Sequence, residues 1–185
     1  MTRAALVDLD PSNGQVRFSF PFRSRSSASV NAATPLVIGN QVFVSASYGT
    51  GAALLEVNGS EYKKIWSSDD SMSNHYSTCV YRGGFLYGFH GRQEEGQALR
   101  CVQLRTGKIM RDVDGYGAGT VTLAGDRLLI LRENGELVLA PAKPDGFHPT
   151  AKASILSKVT RSYPALADGK LYARDEKTLV CVRLK

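Results

Sequence analysis

The sequence predicts an all-β protein, a β-propeller of about four blades, each a four-stranded antiparallel sheet, and three observations carry that reading. A block made of an apolar run, a tight turn and a second apolar run recurs with a period of 43 residues. Each block is followed, past a polar loop, by a further leucine-bearing run. None of these runs shows the 3.6-residue spacing of an amphipathic helix, which helical repeats of similar length would carry. Four short strands in a period of this size suit a propeller blade.

The hairpins come first. Residues 36–44, 79–87, 122–130 and 165–173 align, with Gly39, Arg82, Gly125 and Asp168 at the turn, 43 residues apart each time. Gly, Asn and Asp at these turns accept the positive φ that a tight β-hairpin needs. The third strand of each unit follows at residues 52–57, 98–104, 136–140 and 178–184, rich in the aliphatic and β-branched residues that fit a pleated surface. A fourth strand closes the unit. Its copies end near Phe18, Trp66 and Arg111, and Leu6 to Gly14 matches Leu99 to Gly107 with the same Leu-to-Gly spacing. An immunoglobulin-like sandwich is the structural alternative.

Residues 1–185 thus read as a single propeller domain cut out of phase. The blades span approximately 1–32 (outer strands only), 33–72, 73–116, 117–158 and 159–185 (incomplete). An open arc exposes sheet edges that invite association. The reading therefore calls for a ring of roughly eight blades, completed by missing N-terminal blades or by a partner chain in a homodimer. A self-closed four-bladed ring, with residues 15–20 completing the last sheet, is the alternative.

Composition narrows the function classes. The net charge of +6 comes from 23 Lys and Arg against 17 Asp and Glu, scattered along the chain, which reads as a solubility feature rather than a nucleic-acid footprint. No apolar run is long enough to span a membrane, and the first residues lack the apolar core of a signal peptide. Cys79, Cys101 and Cys181 form neither a disulfide framework nor a CxxC site, and their apolar neighbours predict buried free thiols.

The order Pro35-Leu-Val-Ile-Gly-Asn-Gln-Val-Phe-Val, then a Leu-x-x-Val run, then Thr106-Gly107, then a Trp such as Trp66, resembles the repeat of the pyrroloquinoline-quinone-like propellers. The resemblance covers nearly the whole chain. It implies that the strand after Pro35 is innermost and the strand bearing Trp66 outermost, and it points to the bacterial periplasm or cell envelope. The family holds both quinoprotein dehydrogenases and non-catalytic scaffolds, so fold alone does not choose between them. The chain departs from the dehydrogenases: it has one Trp, no adjacent Cys pair, and no placeable calcium ligands. No catalytic residue and no metal ligand is carried over. No cofactor is predicted, the alternative being PQQ with Ca2+.

Alternate loops of an antiparallel blade lie at the same end. The loops before each inner strand and those between second and third strands should therefore gather at one mouth of the channel. The ligand-binding candidates there are Asn31, Tyr48, Asn74, His75, Tyr76, Tyr116, Arg161 and Tyr163. Amides, aromatic rings, an imidazole and a guanidinium on a rigid mouth suit a protein, peptide or glycan. The competing reading packs the tyrosines between blades and gives His75 a structural hydrogen bond. His90 and His148 read as solvated, Glu94 and Glu95 as a solvated loop tip. Ser26, Ser27 and Ser29 lack the Gly-x-Ser-x-Gly elbow of a nucleophile. The favoured function is a non-catalytic binding module, and the alternative is the C-terminal part of a quinoprotein-like oxidoreductase acting on alcohols or sugars.

Overall fold

The computed structural model describes residues 1–24, 26–27 and 30–184, so that Ser29 and the terminal Lys185 lie outside the described residues. Its strands, in chain order, are β1 (Ala5–Leu9), β2 (Val16–Pro21), β3 (Leu36–Ile38), β4 (Gln41–Ala46), β5 (Gly51–Asn58), β6 (Glu61–Ser68), β7 (Val80–Arg82), β8 (Phe85–His90), β9 (Ala98–Gln103), β10 (Ile109–Val113), β11 (Gly119–Ala124), β12 (Arg127–Arg132), β13 (Glu136–Pro141), β14 (Ala151–Ser154), β15 (Ala165–Ala167), β16 (Lys170–Arg174) and β17 (Leu179–Arg183). One 3₁₀ turn, Gln93–Glu95, interrupts them. Each strand pairs antiparallel with its chain neighbours in five sheets: β1-β2, β3 to β6, β7 to β10, β11 to β14 and β15 to β17. This is the propeller arc expected from the repeat.

The hairpin turns correct one detail of the repeat. The closing pairs are Ile38 with Gln41, Arg82 with Phe85, Ala124 with Arg127 and Ala167 with Lys170. The first turn residues are therefore Gly39, Gly83, Gly125 and Asp168, and Arg82 is the last residue of β7. All four have positive φ, between 50° and 61°. A turn with the twist of its flanking strands demands that conformation, which Gly supplies freely and Asp tolerates.

Successive side chains of a strand point to opposite faces, so each of the three interior sheets packs on two neighbours. Val44, Ala53 and Leu55 of the second sheet meet Leu6, Phe18 and Phe22 of the first. Phe43 and Leu54 meet Leu86 and Val102 of the third. Tyr87, Phe89, Leu99 and Cys101 meet Val121, Leu128, Ile130 and Val138 of the fourth. Leu129, Leu131 and Leu137 then meet Leu171 and Ala173 of the fifth. Each large side chain buried this way contributes about 1.5–3 kcal/mol, and these interfaces are the core.

A bulge re-aims one outer-strand residue at three of these interfaces. The pairing register shifts so that Arg17, Ile65 and Met110 are the extra residues. The next residue in each case, Phe18, Trp66 or Arg111, docks on the hairpin between the third and fourth strands of the following sheet. Phe18 packs on Tyr62 with ring centroids 5.1 Å apart. Trp66 Nε1 donates to the Leu104 carbonyl at 2.8 Å. Arg111 donates to the carbonyl of Lys143 at 2.9 Å and to that of Gly146. The fourth sheet has Ala151 at this position, opposite Leu139, and no bulge.

The arc is open. Among the described residues β2 pairs only with β1, and β17 only with β16. The N-terminal strand therefore does not complete the last sheet, because β1 already occupies its inner edge. Cys79 and Cys101 are buried as expected, but Cys181 is exposed, since no further sheet covers β17.

Candidate functional site

The loops after β4, β8 and β12 and those before β7 and β15 converge at one mouth, and hydrogen bonds tie them together. Tyr48 sits on the turn after β4 with φ 60°, a conformation that a bulky residue rarely adopts. Ser24 Oγ donates to its carbonyl at 2.5 Å, its hydroxyl lies 3.1 Å from His75 Nε2, and the Arg92 guanidinium stacks 4.8 Å above its ring. Tyr48 and Tyr76 both meet the His75 ring edge to face. The Tyr76 hydroxyl donates to Glu133 Oε1 at 2.8 Å, and Arg161 Nε donates to the same oxygen at 2.9 Å. With its amide oxygen turned inward, Gln93 accepts from Arg161 Nη2 at 3.0 Å. A continuous chain of contacts thus runs from Arg92 through Tyr48, His75, Tyr76 and Glu133 to Arg161.

Burial, reinforced by the Glu133 carboxylate, holds the Tyr76 phenol far above its ordinary range, so it stays a donor. A cleft of about 360 Å³ opens beside Tyr48, lined also by Ser73, His90, Arg92 and Glu95. Arg92 reaches Glu95 at 3.1 Å on the exposed loop.

The other candidates stand apart from this chain. Asn31 is a brace: its Nδ2 donates to the carbonyls of Thr2 (2.8 Å) and Phe22 (2.9 Å). Asn74 lies buried beneath the mouth, donating from its backbone to Ser45 Oγ and from its side chain to the Phe89 carbonyl, both at 2.8 Å. Tyr116 packs between the third and fourth sheets, edge to face with Phe147 and 4.9 Å from the Arg132 guanidinium. Tyr163 is half exposed and reaches across the fourth sheet, its hydroxyl donating to the Thr78 carbonyl at 3.3 Å. His90 is not solvated: it is half-buried and its Nδ1 accepts from the Ser73 backbone N–H at 3.0 Å. Glu133, Arg92 and Gln93 complete the mouth; their loops were expected there, but nothing in the spacing marks these side chains.

The single Trp66 is spent on the blade interface, its N–H committed to Leu104, and cannot form a platform in the channel. Among the described residues no cluster of three His, Cys, Asp or Glu is placed to hold a metal.

The family described as outer membrane protein assembly factor BamB matches residues 1–113. The chain belongs to the BamB family of PQQ-like repeats. No curated protein matches it. Among solved structures, BamB from Moraxella catarrhalis superposes with a TM-score of 0.70 at 13% identity, covering 97% of this chain and 51% of that one. The computationally designed Ika8 protein gives 0.68 at 10% identity, covering 99% and 54%. A europium-containing methanol dehydrogenase gives 0.50 at 14%, covering 70% and 27%. The chain spans about half the length of the first two. At these identities the likeness concerns the fold alone.

Proposed function

We propose that this BamB-family chain is a non-catalytic binding module that engages a protein or peptide segment at the mouth built by Tyr48, His75, Tyr76, Glu133, Arg92 and Arg161. The observation that carries this reading is the contact chain across four sheets, which fixes two tyrosine rings and two guanidinium groups on one rim. Rings and guanidinium groups held in place lose little side-chain entropy on binding, and such residues dominate protein recognition. Bidentate guanidinium groups suit carboxylates or backbone carbonyls of an extended segment. The family description, an outer-membrane assembly factor, supports a protein partner and a bacterial envelope location. In this reading the chain holds no quinone or calcium of its own.

The test is selection of a displayed random-peptide library on the wild type, followed by binding to Arg92→Ala and Arg161→Ala variants. Both side chains are solvent-accessible, so folding is retained. Selected peptides should lose about tenfold or more in affinity for at least one variant. Peptides that bind both variants as tightly as the wild type would remove the mouth from the reading, as would selection of glycans but no peptides in a parallel array. Added quinone with Ca2+ should give no saturable binding; saturable binding with alcohol-dependent dye reduction would favour the oxidoreductase instead.

A further inference from the structure

Strand register puts Ala53 in a place that the other sheets fill. It pairs with Val44, three residues after the Gln41 that closes the hairpin. Counted the same way, its equivalents are Arg100 opposite Gly88, Val138 opposite Ile130 and Val180 opposite Ala173. All four side chains face the preceding sheet. Arg100 plugs the seam between the second and third sheets, with Nη2 2.8 Å from Asp112 Oδ2 and Nη1 donating to the carbonyls of Asp70 and Ser71. Val138 closes the next seam and is fully buried there. Between the first and second sheets only the methyl group of Ala53 stands in that place, and a cleft of about 590 Å³ opens beside it.

Phe20 and Phe22 give this cleft an apolar floor, and Arg23 and Lys64 stand at its rim. Its walls come from the outer strands β2 and β6 and the start of β5, so it is a seam between two sheets rather than an outward face at an end of the arc. Neither cation makes an ion pair or a side-chain hydrogen bond among the described residues. Tyr48, Gly49 and Asp69 line both this cleft and the one of about 360 Å³ beside Arg92, so the two form a single groove that passes over the Tyr48-Gly49 turn. Two hydroxyls in the groove have no partner among the described residues. Thr50 Oγ1 is buried and belongs to the lining of the first cleft. Ser47, only 2% exposed, lines the second, and its side chain makes no hydrogen bond. Buried polar groups ordinarily find partners, and the backbone of a bound chain supplies them.

Resting on the peptide reading of the mouth, we propose that this groove holds an extended acidic segment of a protein partner, which seats a large apolar side chain in the cleft beside Ala53 and sets a neighbouring carboxylate against Arg23 and Lys64. Length is the first argument. A groove that continues on both sides of a turn takes a chain rather than a single group, and an extended chain offers backbone groups to Thr50 and Ser47 while its alternate side chains enter pockets. The floor of Phe20 and Phe22 is where an apolar anchor loses its water, the usual source of binding energy at such a contact. Charge decides the sign of the partner. Two unpaired cations face one carboxylate, Asp69, in the first cleft, and a carboxylate of the ligand balances them. Asp69 lies where the two clefts join and repels a ligand carboxylate there, so the acidic residue is held at the Arg23 end.

The test selects a displayed random-peptide library on the full chain, as wild type and as the double variant Arg23→Glu with Lys64→Glu, and then measures the wild-type peptides against that variant, Ala53→Val and Arg161→Ala. Arg23 and Lys64 are exposed, and valine already occupies the equivalent place in the fourth and fifth sheets. Circular dichroism checks that each variant is folded; should Ala53→Val misfold, the charge-reversed variant decides alone. Peptides selected on the wild type should carry an acidic residue beside a large apolar one and lose about tenfold or more in affinity for the charge-reversed variant and for Ala53→Val. The charge-reversed variant should itself select a basic residue in place of the acidic one. The same sequences from both selections, or affinity that falls for Arg161→Ala but for neither cleft variant, overturns the proposal and leaves the mouth reading standing. Loss confined to the cleft variants supports the groove and removes Arg161 from the site. A selection that yields no binding peptide overturns both.

Discussion

Trp66 and Leu104 hold two blades together through a single hydrogen bond, the indole Nε1 donating to the backbone carbonyl at 2.8 Å across 38 residues of sequence. Gly107, three residues after Leu104, is part of the same joint: a Cβ on it, where φ is +71°, would stand 3.0 Å from the indole ring. Trp66→Phe should keep most of the packing and lose about 1 kcal/mol, the net worth of one hydrogen bond whose carbonyl is then left without this partner. Gly107→Ala should cost about 1–3 kcal/mol, from overpacking together with an unfavourable backbone. Urea unfolding monitored by circular dichroism reads both, and a Gly107→Ala variant as stable as wild type would mean the joint opens freely.

Arg111 performs the same docking one blade on, with its guanidinium near the Phe147 ring at 5.3 Å and its donors on the Lys143 and Gly146 carbonyls. Arg111→Lys should lower stability by about 1–3 kcal/mol despite keeping the charge, because Nη1, which donates to both carbonyls, is held there by the planar guanidinium stacked on Phe147, and a shorter, flexible ammonium has neither that reach nor that stacking. The same denaturation curves decide it: an unchanged midpoint would show that charge alone is what the site requires.

Stability should rise with pH through the range below neutrality because of His90. Burial, with the Arg100 guanidinium second, lowers its pKa, and its Nδ1 must stay unprotonated to accept from Ser73. The folded state therefore binds fewer protons than the unfolded one, for which the ordinary value is about 6.5. Its stabilising contribution is present above that value and is lost as pH falls from there toward the folded pKa. His90→Asn should flatten this part of the profile in thermal melts recorded from pH 7.5 to 5; a slope identical to wild type would assign the dependence to another group.

Thiol chemistry should separate the three cysteines. Burial pushes the Cys79 thiol up to about 12, burial also raises Cys101, and Cys181 is exposed. A thiolate is the reactive species. An aromatic disulfide reagent should titrate one thiol in the native protein and three after unfolding, and Cys181→Ser should remove the native signal. Native reaction of two or three thiols would mean that the blade interfaces open readily.

Tyr76 and Arg161 share Glu133 Oε1, at 2.8 and 2.9 Å, from loops in different blades. Groups with one partner in common are coupled, so the double variant Tyr76→Phe with Arg161→Ala should depart from the sum of the single variants by about 0.5 kcal/mol or more. Strict additivity in a double-mutant cycle would break the contact chain at Glu133.

The glycine-punctuated hairpins, the alternation of Val42, Phe43 and Val44, and the equivalence of Phe18, Trp66 and Arg111 were all legible in the sequence, because each depends on residues near one another in the chain. Turn chemistry fixes where a strand reverses, and the two-residue side-chain period fixes which face each residue takes. The convergence of the loops at one mouth was legible for the same reason, since antiparallel pairing alone sends alternate loops to one end. The exact turn at Arg82-Gly83-Gly84 was not, as two adjacent glycines serve equally well until the register of β7 and β8 is known.

What the sequence determined by itself was therefore the repeat, its strands and the loops that share a mouth, all consequences of local backbone preference and hydrophobic period. Only the tertiary structure decided what each side chain does there. Asn31 and Tyr116 serve as brace and packing, Glu133 joins Tyr76 to Arg161 across 57 and 28 residues, and Tyr172 with Leu179 is left uncovered. These outcomes rest on distances between blades, and such distances are set when the sheets pack against one another, a step that no period along the chain encodes.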